Sequence, residues 1–272
     1  MSELVLYEVE AGVATITLNR PERMNTMNGE LLAGALEALE TAAGDREVKA
    51  VIFTGTGRAF CAGGDLQGMA GGGGGGGGGS GSGRRPSVEA AVGNLRASMR
   101  TSQLLREMPK VTFAAINGAC AGAGLAWACA ADIRYCAESA VFNTAFMTAG
   151  LSGDFGGTWT LPRIVGPAKA RELYLMAEKF GADEAARIGL VSAVLPPEDL
   201  MAYTRERAQR AAGFAPLTLA AIKANLNDSP DVSFAEMLDR EAGRHIRAGL
   251  TEDAREAAAA FLQKRPPVFK GR

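Results

Sequence analysis

The chain has 272 residues, 47% of them hydrophobic and 22% charged, with a formal net charge of −1. That length buries a full core, and so even a charge balance excludes a protein that grips nucleic acid or an anionic membrane by its field. No apolar run reaches the roughly 20 residues of a spanning helix, and the start MSELVLYEVE has neither the basic end nor the cleavage site of a secretory signal, so a cytoplasmic protein is expected.

Residues 4–9 and 13–18 alternate like the arms of a hairpin turning at Glu10-Ala11-Gly12. Arg20-Pro21-Glu22-Arg23 breaks the pattern, and Asn28 is placed to cap a helix over 29–43 with Leu31, Leu32, Leu36 and Leu39 on one face. A buried strand over 49–54 leads through Gly55-Thr56-Gly57-Arg58 into a glycine-bearing corner, AFCAGGDL (59–66), where Asp65 is placed to cap a helix. The run 71–83, glycine with two serines, has the composition of flexible coil and reads as a loop within the core. Ser87 is expected to cap one helix running to Met108, with Val88, Val92, Leu95 and Met99 at helical spacing and Pro109 behind it.

VTFAAI (111–116) reads as a buried strand, and 125–131 as a helix apolar all round. The small residues between them allow very close backbone approach. A helix starting there aims free N–H groups at its neighbour, a ready site for an anion or a developing oxyanion. A tight turn in a crowded core is the other reading of that stretch alone. Short strands at 133–136 and 140–143 follow, then the glycine-rich segment 150–159, helices at 159–164, 167–177 and 182–188, and a strand at 190–195. Helices at 198–213, 216–226, 233–248 and 251–264 complete the chain. Strand–helix alternation followed by helices alone predicts an α/β core over 1–197 and a C-terminal helical region over 198–272.

Cys61, Cys120, Cys129 and Cys136 form no CxxC pair and sit among small or apolar residues, as buried thiols do. The single histidine, His245, lies in a charged helix, which argues against a histidine-rich metal site.

Five blocks stand in a definite order: AFCAGGDL (59–66), INGACAGAGLAWACAADIRYC (116–136), LPRIVGPAKARELYL (161–175), IGLVSAVLP (188–196) and FLQKRPPVF (261–269). Together they resemble the crotonase, or enoyl-CoA hydratase/isomerase, superfamily over nearly the whole chain, the glycine run excepted. The resemblance implies an α/β spiral of ββα repeats with a C-terminal helical trimerisation region, homotrimers or dimers of trimers, and an acyl-CoA thioester as ligand. Coenzyme A, part of the substrate, is the only cofactor implied, with no metal. The resemblance further implies that the backbone N–H groups of Gly64 and Ala123 hold the thioester oxygen. Ala62, Asp65, Leu66 and Gln67 then line the CoA side, and Arg23 meets the CoA phosphates.

Family hydratases carry two glutamates, and the matching positions here are Ala126 and Phe146. Neither side chain moves a proton, which excludes a two-glutamate hydration. The remaining carboxylate is Asp154, in SGDFGG. Its position resembles an aspartate that moves a proton in dienoyl-CoA isomerases and attacks the ring in chlorobenzoyl-CoA dehalogenases. Phe146, Phe155 and Trp159 are expected to surround it and to raise its pKa by burial; a helix N-cap is its other reading. The expected function is isomerisation or hydration of a CoA thioester with Asp154 as acid/base. The alternatives are a non-catalytic acyl-CoA binder, or a hydrolase or dehalogenase with Asp154 as nucleophile.

Overall fold

The computed structural model of the chain describes residues 2–65 and 87–272. The glycine run and the candidate site residues Leu66 and Gln67 lie outside the described residues.

Each of three strand pairs sends its first member into one sheet and its second into another. The pairs are β3 (Ala50–Gly55) with β4 (Ala59–Cys61), β5 (Val111–Ile116) with β6 (Ala119–Ala121), and β7 (Ile133–Ala137) with β8 (Val141–Asn143). The six-stranded sheet runs β1-β2-β3-β5-β7-β10, with β1 Val5–Glu10, β2 Val13–Leu18 and β10 Ala193–Leu195. The four-stranded sheet runs β4-β6-β8-β9, with β9 Phe180–Gly181. β1 and β2 form the expected hairpin, in register from Glu10↔Val13 to Val5↔Leu18. Ala11 and Gly12, at φ 47° and 77°, supply the two left-handed residues that a tight hairpin turn needs. From β2 to β10 the large sheet is parallel.

A parallel sheet is covered on both faces, which is why β3 is buried from Ala50 to Thr54. Val51 and Phe53 face one side with Ile16, Ala114 and Ile116; Ile52 faces the other with Val13 and Phe113. The first face is packed by helix α1 (Gly29–Gly44), whose cap Asn28 accepts from the Leu31 N–H as expected. The second is packed by Leu200 and Ala208 of a helix spanning Leu200–Ala212, so this helix, placed by sequence with the C-terminal region, lies on the sheet.

The single helix expected over 87–108 is two, α2 (Val88–Ser98) and α3 (Arg100–Glu107), joined at Met99. Ser87 caps the first, but Val88 and Val92 are 75% and 61% exposed. The hydroxyls of Ser98 and Thr101 bond back to the carbonyls of Asn94 and Ser98, a habit that bends helices. Buried Thr101 also accepts from the Trp127 indole at 2.7 Å, which fixes the direction of α3. Beyond α4 (Ala123–Ala130) come α5 (Phe146–Ala149), α6 (Gly157–Val165), α7 (Pro167–Met176) and α8 (Ala182–Arg187). The tail is α9 (Leu200–Ala212), α10 (Pro216–Asp228), α11 (Phe234–Gly249) and α12 (Glu252–Gln263). β6, β9 and α5, of three, two and four residues, are too short to leave a periodic signal.

Gly124, in the first turn of α4, has no room for a side chain: a Cβ there would run into the backbone carbonyl of Cys61. Gly124→Ala is expected to cost about 3 kcal/mol of unfolding free energy in urea denaturation, the upper end of overpacking costs. Gly44→Ala, with nothing within 4 Å of the new methyl, is the control and leaves stability unchanged or raised by up to about 1 kcal/mol.

Candidate active site

The first corner is held by residues far upstream. Asn25, fully buried at φ 54°, donates through its amide to the carbonyls of Thr56 (3.0 Å) and Ala59 (2.8 Å) and accepts from the Arg20 N–H. Met27 N–H donates to the Gly63 carbonyl (2.7 Å), and Asp65 N–H to the Met27 carbonyl (3.0 Å). Ala62 N–H donates to the Met24 carbonyl. Met27 thus bridges Gly64 in parallel fashion through the residues on either side of it, and the Gly64 N–H itself has no acceptor among the described residues. Arg20 closes the corner with an ion pair to Asp65 at 2.9 Å, the two side chains only 15% and 20% exposed. The Asp65 carboxylate therefore faces Arg20.

The second corner is the step from β6 into α4. Gly122 stands at φ 53°, ψ −123°, a conformation for glycine, with its N–H bonded to the Asn143 carbonyl. The next N–H, that of Ala123, opens the helix and has no acceptor among the described residues. The two corners touch. A Cβ on Gly63, at φ 95°, would sit 3.0 Å from the Ala121 carbonyl oxygen and 3.7 Å from the Ala123 nitrogen. One on Gly122 would sit 3.9 Å from the Gly63 Cα and from the tip of the Phe146 ring. Two N–H groups without an acceptor among the described residues therefore belong to backbone segments in direct contact.

Asp154 lies in the loop before α6, where Gly153, Phe155 and Gly156 all have positive φ. It does not cap the helix. Gly156 precedes the first helical residue, no side chain caps that end, and the buried Oδ1 of Asp154 has no hydrogen-bond partner among the described residues. Burial pushes the carboxyl up to about 6. Its charge adds to the burial that raises the Cys61 thiol and the Tyr174 hydroxyl. Phe155, buried, meets Trp127 edge to face at 5.7 Å, and Phe146, also buried, stacks on Tyr174 at 6.2 Å. Ala126, on α4, packs directly against Gly157.

Trp159 is not part of that aromatic group. Gly157 faces Ala126, and two residues on a helix turn the chain about 200°, so the Trp159 ring points away. It sits between the guanidiniums of Arg163 (3.7 Å) and Arg106 (4.4 Å) and lines a separate cavity of about 530 Å³ at the far end of α4. Arg23 is exposed in the 3-10 turn Pro21–Arg23, just ahead of the Met24 carbonyl that binds Ala62. Asp132 is structural: it accepts from Lys223 at 2.7 Å and from Thr112. The four thiols are buried and free, and burial pushes Cys61 and Cys136 up to about 12, Cys129 to about 11 and Cys120 well above its usual value. None is a nucleophile near neutral pH. No metal-holding cluster occurs among the described residues. Sequence reasoning missed Arg20, Asn25 and Tyr174. The first two act through side-chain bonds to backbone and leave no periodic trace, and Tyr174 reads as one more apolar helical position.

A family model described as enoyl-CoA hydratase/isomerase matches residues 8–272. The chain belongs to the enoyl-CoA hydratase/isomerase family. It is 40% identical to a probable enoyl-CoA hydratase of Rhodobacter capsulatus, over 98% of each chain. It is 37% identical to the 1,2-epoxyphenylacetyl-CoA isomerase of Escherichia coli strain K12, over the whole of both. A crystal structure of an enoyl-CoA hydratase from Polaromonas sp. JS666 superposes with a TM-score of 0.88 at 32% identity, covering 98% of this chain and 99% of that one. This enoyl-CoA hydratase/isomerase family member has the crotonase α/β fold and is an enzyme acting on CoA thioesters. Among the described residues no helix is long and apolar enough to cross a membrane.

Because the folded chain holds the Asp154 proton more tightly than the unfolded one, stability falls as pH rises from about 3.8 to about 6 and is level above. Asp154→Asn removes the buried charge. Its unfolding free energy is expected to exceed the parent's by about 1–2 kcal/mol at pH 8, a figure reduced for partial solvent screening, and to match it at pH 3.5.

Proposed function

We propose that the enzyme is an isomerase that moves a proton between carbons of an acyl-CoA thioester, with Asp154 as its single proton carrier. The observation that carries this reading is the Asp154 carboxyl: its Oδ1 is buried and unpartnered among the described residues, and burial raises its pKa to about 6. Above pH 6 the carboxylate takes a proton from C2 of a 3-enoyl thioester. The electron pair moves towards the thioester oxygen, where the N–H groups of Gly64 and Ala123 and the positive end of α4 meet the developing charge. The protonated Asp154 then returns the proton to C4, giving the 2-enoyl thioester with no water consumed. Hydration would need a second group to position and deprotonate water. The positions that would match the hydratase glutamates hold Ala126 and Phe146, both buried and neither ionisable. That a relative 37% identical over its full length is named an isomerase supports the same class.

In this reading Ala62, Asp65, Leu66, Gln67 and Arg23 receive coenzyme A, which arrives with the substrate, and the chemistry calls for no metal. The proposed assembly is a cytoplasmic homotrimer or pair of trimers. Phe234, Leu250, Phe261 and Leu262 of the C-terminal helices and their joint, 70–84% exposed in the single chain, support burial there against other copies.

With trans-3-hexenoyl-CoA, Asp154→Asn is expected to lower kcat by about 10²–10⁴-fold at little change in KM. The parent's kcat/KM should rise through about pH 6. Parental turnover in the variant removes Asp154 from the chemistry. Tight binding without turnover of short, long and aromatic thioesters by the parent favours the binder, and a covalent adduct on Asp154 favours the nucleophile. Gly63→Ala forces a methyl to within 3.0 Å of the Ala121 carbonyl and parts the corners. It is expected to lower kcat by about 10²-fold, as loss of one oxyanion donor does.

A further inference from the structure

Tyr174 projects from α7 against the start of α6, where Gly157 admits its hydroxyl. A Cβ on Gly157 would collide with the Tyr174 hydroxyl and lie 3.1 Å from the Ala126 Cβ. The hydroxyl thus occupies the space next to the short side chain of Ala126, where a longer residue would extend. Its ring is held in place by the stack on Phe146, whose own tip reaches Gly122 at the second corner. One connected wall therefore runs from the Ala123 amide through Phe146 to the Tyr174 hydroxyl. That hydroxyl has no hydrogen-bond partner among the described residues, although Asp154 is near enough to affect its ionisation. Burial and the neighbouring Cys129 and Asp154 raise its pKa, so it stays neutral at any working pH and offers both a proton and a lone pair.

We infer that Tyr174 is a specificity-determining residue, and that the acyl group it selects carries an oxygen atom, as hydroxyl, epoxide or carbonyl, within reach of its hydroxyl. The inference rests on the proposed placement of the acyl group beside Asp154. A hydroxyl fixed in an apolar wall is left unpaired by a plain hydrocarbon and satisfied by an oxygenated one, and sites built this way discriminate strongly against the analogue that lacks the polar group.

The test reads binding of non-reacting thioesters, independently of turnover. Phenylacetyl-CoA is compared with 2-, 3- and 4-hydroxyphenylacetyl-CoA by calorimetry on the parent, Tyr174→Phe and Tyr174→Leu. In the parent at least one hydroxylated thioester is expected to bind about tenfold more tightly than phenylacetyl-CoA. In Tyr174→Phe that preference should shrink to about twofold or less, with phenylacetyl-CoA affinity and melting temperature unchanged because the stack on Phe146 survives. Tyr174→Leu, which loses the stack as well, should weaken all four ligands. No preference in the parent, a preference kept in Tyr174→Phe, or equal weakening of every ligand by Tyr174→Phe overturns the inference. A parent that isomerises trans-3-hexenoyl-CoA through Asp154 but shows no preference overturns it alone. Failure of all four thioesters to bind overturns the placement beneath it.

Discussion

Contact between two stretches of bare backbone, Gly63–Gly64 and Gly122–Gly124, governs the rest of this structure. β4 and β6 pair in parallel, so their ends arrive side by side, and each continues into a corner that must press against the other. A side chain at 124 would enter the Cys61 carbonyl, and one at 63 would crowd the Ala121 carbonyl. The conformations at Gly63 and Gly122 suit glycine for a second reason, their positive φ. Packing and dihedral requirements coincide, and the result is a pair of N–H groups with no acceptor among the described residues. Unpaired backbone donors are rare in folded proteins.

The region behind the corners follows the same logic with side chains. α4 is half alanine, with Gly124, Leu125, Trp127 and Cys129 as the rest, so it sinks into the core and brings no charge with it. The four thiols near it are silenced by burial. A loop with three positive-φ residues carries one carboxylate, Asp154, whose Oδ1 is buried. Phe155 in a left-handed conformation and the unpaired Oδ1 of Asp154 beside it in the chain both work against folding.

Sequence carried much of this, and the reason differs by element. The hairpin, the Asn28 cap and the C-terminal helices announce themselves through period and capping chemistry, which are local. The corners are visible because glycine and alanine are used where backbone must touch backbone. Asp154 could be read as a cap or as a free acid from residue type alone. Only the phase of α6, beginning at Gly157 behind a left-handed Gly156, decides against the cap. That same phase turns Trp159 towards Arg106 and Arg163. The break at Met99 was hidden because it depends on Thr101 meeting an indole 26 positions later. Arg20 and Asn25 stayed hidden because their partners are carbonyls, amides and a carboxylate far along the chain.

The dependence of the first corner on residues 20–27 bears on how the molecule can be divided. Met27, Asn25 and Arg20 hold Gly63, Ala59 and Asp65 by bonds that cross the whole of α1 and β3. A polypeptide severed in the exposed connection between α1 and β3 would leave each piece without half of the pocket rim. Reassociation of the pieces would restore it, so this fold lends itself to a fragment-complementation reporter in which recovered turnover announces that two fused partners have met.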